Sequence, residues 1–187
     1  MNAPLVIARA VHFAATLLLT GALTFECVVA MPVLAGRSHA ALAPRLRNGL
    51  ARIIWAALAA ALLSGAAWLV LLAGEIGGVP AQEALSQGLP WTVLTQTTFG
   101  AVWTLRLALA AVLAAVLAAR GFSHASAVPT ARVVNLVCAI FAAAVAACLA
   151  GTGHAAGMEG VDGAIHLSSD ALHLVAAGAW LGALWPL

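Results

Sequence analysis

The stretch Arg52-Ile-Ile-Trp-Ala-Ala-Leu-Ala-Ala-Ala-Leu-Leu-Ser-Gly-Ala-Ala-Trp-Leu-Val-Leu-Leu-Ala-Gly74 carries no charge after its first residue and no proline. A hydrocarbon core is crossed by about 20 consecutive apolar residues in a helix, and this run has that length. It is apolar on every face, as a helix solvated by lipid must be. Four further runs, near 5–34, 98–119, 132–151 and 165–187, repeat the pattern. The segments between them hold the breakers and the charges: Gly36 to Pro44, Gly74 to Pro90, Gly121 to Pro129 and Gly151 to Gly163. The expected fold class is therefore all-α, a polytopic transmembrane bundle of about five spans forming a single domain over 1–187.

Composition agrees. Of 187 residues, 64% are hydrophobic and 7% charged, and no lysine is present; a typical soluble domain has about 25% charged residues. The glycines and alanines suit close approach of membrane helices. The arginines fall mostly in connecting loops and do not interleave with aromatics, which excludes a nucleic-acid footprint. No serine or cysteine stands in a recognisable nucleophile setting, so no enzyme activity is expected. The first run is too long, and lacks the basic region, of a cleavable signal peptide. Cys27 follows Glu26 where a lipid anchor needs a small residue.

Arg37, Arg45, Arg47 and Arg52 crowd the first loop, and Arg120 and Arg132 bracket the third, whereas the second and fourth carry only Glu75, Glu83, Glu159 and Asp162. The positive-inside rule puts the arginine loops in the cytoplasm, and with them the amino terminus and the acidic loops in the periplasm. Arg9 is the contrary charge, able to snorkel to the outer interface. The last run reaches Leu187 with no flanking arginine, so further spans are expected in a longer parent.

Metal-ligand side chains concentrate around the last run. His154 and Met158 lie in Gly-Thr-Gly-His-Ala-Ala-Gly-Met-Glu, and His166, Asp170 and His173 open the helix that follows. At about 100° per residue those three share an arc of about 60° over roughly two turns. Imidazole, thioether and carboxylate together serve copper or zinc. The bland reading of any one of them is a solvated histidine or a capping aspartate; Met158 alone reads as a loop residue. As a trio on one face they read as a site, because ionisable groups within spans are costly and retained for a task.

His12 lies near the outer end of the first run, where it is expected to join His154 and His166. Glu26 stands about 21 Å further along and about 40° round the same helix. Arg106, the basic residue inside the third run, is its expected partner, either as a packing pair or as part of a relay. Cys27, Cys138 and Cys148 form no motif and read as small packing residues, although thiols can also pass cuprous ion. Gly178 and Gly182 are spaced for close helix contact. Trp180 shares the face of His173, and the other tryptophans read as interface belt or packing.

The run His-Leu-Ser-Ser-Asp-Ala-Leu-His-Leu-Val-Ala-Ala-Gly-Ala-Trp-Leu-Gly from His166 to Gly182, with Gly153-His154 before it and the early His12, resembles the copper-resistance protein D (CopD) family. The resemblance implies an inner-membrane protein of copper uptake, working with a periplasmic CopC-like partner, with copper ion bound by His12, His154, His166, Asp170 and His173. Glu26 and Met158 would then be relay candidates. Family members generally have more spans than the five read here. Two other readings stay open: a b-type haem electron carrier using His12 with His166 or His173 as axial ligands, and a scaffold or assembly protein that binds no metal.

Overall fold

The computed structural model describes residues 3–34, 43–122, 128–153 and 160–184. No strand occurs among them, and four helices are long and apolar enough to cross a membrane: Ala3–Leu34, Ala43–Gly77, Thr98–Arg120 and Ala131–Thr152. The fifth expected span is a helix of comparable length packed into the same bundle. The stretch expected as the second loop is largely helical.

Helix α1 (Ala3–Phe25) continues through a π-helical turn, Glu26–Ala30, into Met31–Leu34. The cause is Pro32. It has no N–H to offer the carbonyl four residues back, and its ring crowds that carbonyl, so the helix widens by one residue just before it. The Met31 N–H accordingly bonds the Glu26 carbonyl, five residues back.

Helix α2 (Ala43–Gly77) takes Pro44 in its first turn, where a missing N–H is harmless. At about 1.5 Å per residue, its 35 residues exceed the roughly 30 Å hydrocarbon core, and Arg45, Arg47 and Arg52 are exposed at its start. It ends in a Schellman motif. Gly78 adopts φ 65°, the Val79 N–H bonds the Gly74 carbonyl at 3.0 Å, and the Gly78 N–H bonds the Glu75 carbonyl at 3.4 Å.

Two short helices, α3 (Ala81–Ser86) and α4 (Leu89–Gln96), fold back over that end of the bundle. Thr97 then starts α5 (Thr98–Phe122), its hydroxyl accepting the Gly100 N–H at 2.9 Å. Helix α6 (Val128–Ala147) runs into a 3₁₀ turn, Ala150–Thr152, and α7 (Gly160–Leu184) completes the described chain.

Helix α1 is the hub: α2, α6 and α7 pack against it, while α5 leans on α6 and α4. One apolar cluster joins Ala8, Trp68, Leu69, Val93, Trp103 and Leu149 near the start of α1. A second joins Leu19, Leu23, Ile54, Leu58, Leu113, Cys138 and Ala142 further along. Leu63, Ile76, Leu105 and Ile140 point outward, the arrangement of a bundle that meets apolar solvent.

At Gly21 and Gly182 helices α1 and α7 meet backbone to backbone. A methyl group added to Gly21 would land on the Gly178 carbonyl and the Gly182 backbone, and one added to Gly182 on the Gly21 backbone. Gly178 itself faces Thr20 and Leu17. With Leu174 in the cluster near the start of α1 and Gly182 against Gly21, the two helices run parallel.

Candidate functional site

Polar side chains inside the bundle gather at two levels. At the first, His12 of α1 is 5% exposed and Arg106 of α5 is 4% exposed. Arg106 Nη2 lies 2.8 Å from His12 Nε2. A guanidinium can only donate, so Nε2 is the acceptor and the proton sits on Nδ1. That Nδ1–H points to the Ala61 carbonyl at 2.9 Å, with Ser64 Oγ 3.3 Å away. The ring is walled by Trp68 and Trp103, with centroids at 5.5 and 5.2 Å. Gly65 makes room for it, since a Cβ there would stand 3.1 Å from His12 Cε1. Arg106 also lies over the Trp103 ring at 5.1 Å.

The second level holds Glu26 at the π-helical turn, Arg120 in the last turn of α5, and buried Asn135 of α6. Arg120 Nη1 donates to Glu26 Oε2 at 2.8 Å and to Asn135 Oδ1 at 2.9 Å. The expected Glu26–Arg106 pair is therefore wrong. Helices α1 and α5 run parallel, which puts Arg106 level with His12 and Arg120 level with Glu26. The same sequence offset of 94 residues joins both pairs. Between the levels, Thr16 and Thr20 return their hydroxyls to carbonyls of their own helix, and Thr20 also reaches the Ala142 carbonyl at 3.1 Å.

His166, Asp170 and His173 are all exposed along α7. The parallel register with α1 brings His173 to about the level of His12, but not near it. Gly21, where α7 packs, lies about 180° round α1 from His12, whose ring faces α2 and α5 instead. His154 and Met158 lie outside the described residues. Among the described residues, no three His, Cys, Asp or Glu side chains come together as a group able to hold a metal ion.

Each of His12's nitrogens is thus engaged, and Glu26 is bound by an arginine. For His12 to ligate a metal through Nε2, Arg106 must first withdraw. The haem reading gains nothing from this geometry, because the space beside His12 is about 30 Å³, room for a small ion or a water or two. Sequence reasoning missed Ser64, Arg120 and Asn135 as members of the polar levels. For Arg120 a signal was available, since its distance from Arg106 equals that of Glu26 from His12.

The profile of the family described as "Copper resistance protein D-like, N-terminal domain" matches residues 1–164. "Inner membrane protein YebZ" of Escherichia coli (strain K12) is 34% identical over 97 residues, which cover 52% of this chain and 30% of that protein. "Copper resistance protein D" of Pseudomonas syringae pv. tomato is 36% identical over 131 residues, covering 66% of this chain and 40% of that protein. The chain spans less than half the length of these curated relatives. No solved structure matches it. Its apolar helices fit a multi-pass protein of the inner membrane, the location in the first relative's name. On the extent of the profile match, which covers most of the chain, it belongs to the copper resistance protein D-like N-terminal domain family.

Proposed function

We propose that this chain accepts copper at the periplasmic side of the inner membrane and helps move it inward. The observation that carries the reading is the stripe of His166, Asp170 and His173, exposed on a helix of the bundle. Ionisable groups at membrane depth persist where they serve ions or protons. The name of the Pseudomonas relative supplies copper as the cargo.

In this mechanism the imidazoles of His166 and His173 take the ion. Asp170 sits between them and either ligates or orients a ring, fixing its tautomer as carboxylates do for metal-bound histidine. His154, in the sequence just before α7, is a further candidate ligand, and Met158 a candidate relay. A CopC-like periplasmic copper carrier is the donor. His12 is a separate station inside the bundle, at about the level of His173, opened only when Arg106 lets go of Nε2. Glu26 serves as a relay only after leaving Arg120, so the inner half of the path is carried by rearrangement of the two arginine pairs.

The test is copper binding to purified protein together with copper accumulation in cells. His166→Ala and His173→Ala each weaken both sharply, and Asp170→Asn leaves weaker binding. Unchanged copper content and uptake after removing both histidines would end the copper reading.

A further inference from the structure

We propose that Arg106 forms the floor of a binding site for a small monovalent anion, reached through a cleft between α2 and α5. This goes beyond copper handling and does not depend on it.

The guanidinium is 4% exposed and makes one side-chain hydrogen bond, from Nη2 to His12. Nη1 is fully buried and has no partner among the described residues. Arg106 is also part of the wall of a cleft whose lining is apolar apart from His12 and Arg106 themselves: Leu58, Leu62, Leu107 and Val145 are among its walls. Leu62 and Leu107 are 40% and 43% exposed. They are the exposed members of its lining, one from α2 and one from α5.

Charge sharpens the case. Among the described residues the one ion pair is Arg120 with Glu26, a level removed by about 21 Å of helix. His12 is neutral in the tautomer its partners require, so it stabilises the guanidinium without cancelling its charge. An unpaired cation inside an apolar bundle is strongly unfavourable, and an anion bound beside it lowers that penalty. The free space of about 30 Å³ beside it admits a halide or one carboxylate group. The Trp103 ring, which also lines the cleft, lies 5.1 Å from the guanidinium.

Two sources share this chemistry: a dissolved halide, or the carboxylate head of a single-chain lipid entering between Leu62 and Leu107. The experiment uses the full chain in detergent or nanodiscs. Bromide is titrated at constant ionic strength against gluconate, with tryptophan fluorescence as the readout because Trp103 touches the site. A saturable quench that chloride competes away identifies a dissolved anion. Silence toward bromide with a saturable response to oleate, absent with oleyl alcohol and lost in Leu62→Trp, identifies the lipid carboxylate. Either result supports the site.

Arg106→Gln should weaken the response by about tenfold or more, as loss of a charge-assisted hydrogen bond does, and Arg106→Lys should retain part of it. Ala110→Leu fills the cleft and keeps the charge, so it tests the site even if Arg106→Gln fails to fold; it should abolish the response. No saturable response to either probe in the unaltered protein overturns the proposal. So does a response that persists undiminished in Arg106→Gln or Ala110→Leu.

Discussion

Neutralising the two partners at the second polar level should produce unequal losses and a clear coupling. At 2.8 Å and an effective dielectric of about 20, the bare attraction between Glu26 and Arg120 is on the order of 6 kcal/mol. Desolvation cancels much of that, and removing one partner of a fully buried pair costs about 3–5 kcal/mol. This pair is not fully buried: Arg120 is 25% exposed and Glu26 12%. In Glu26→Gln the guanidinium keeps the Asn135 oxygen and can extend toward the interface from the last turn of α5, so the loss is about 1 kcal/mol. In Arg120→Gln the more enclosed carboxylate is left without a charged donor, at about 2–3 kcal/mol. The double variant should lie near the milder single one, giving a coupling of about 2–3 kcal/mol. Sodium dodecyl sulfate titration of the detergent-solubilised protein, followed by circular dichroism, measures all four corners of the cycle. Glu26→Gln combined with Arg106→Gln is the control and should be additive within about 0.5 kcal/mol. Additivity for Glu26 with Arg120, or coupling of Glu26 with Arg106, would refute the two-level arrangement.

Gly21→Ala should cost about 1–3 kcal/mol by the same titration. Gly178→Ala, whose Cβ meets Thr20 at 3.2 Å and needs only a small adjustment, should cost under about 1 kcal/mol; equal losses would mean that the α1–α7 seam is not as close as described. Reporter fusions should put residues 75–97 and 152–164 in the periplasm, with 36–51 and 121–131 in the cytoplasm; an inward 152–164 segment would dismantle the proposed copper entry. His166 and His173 are separated by about 10 Å along α7, so copper binding by the double variant decides their relation: a loss equal to either single variant marks a shared ion, and a further loss marks sequential sites.

Helix boundaries were legible because apolar length and punctuating glycine, proline and arginine act locally. The run around 52–74 folded as read, with the described helix longer at both ends. The stretch 75–97 was less legible: its glycines and prolines read as breakers, yet Gly88 and Pro90 start a short helix that the rest of the bundle supports. Four helices meet the length and hydropathy expected of spans, while α7 carries the very histidines and aspartates that drew notice to it, which lowers its apolar character. The partner of Glu26 was misread for another reason. Depth in a bundle depends on where each helix starts. Counting Arg106 and Arg120 from Thr98, and His12 and Glu26 from Ala3, brings the true pairs level. Facing is harder to foresee than depth: that His12 turns away from α7 follows from the glycine seam, a tertiary fact.

That seam has a mechanical consequence. Where Gly21 meets Gly178 and Gly182, peptide backbone rests on peptide backbone, with no flexible side chains to absorb a displacement. Helices α1 and α7 are thereby clamped into one stiff lever. A displacement of α7 is transmitted to α1 as a whole. On the far side of α1 that movement tugs the His12 ring against an arginine anchored on a different helix.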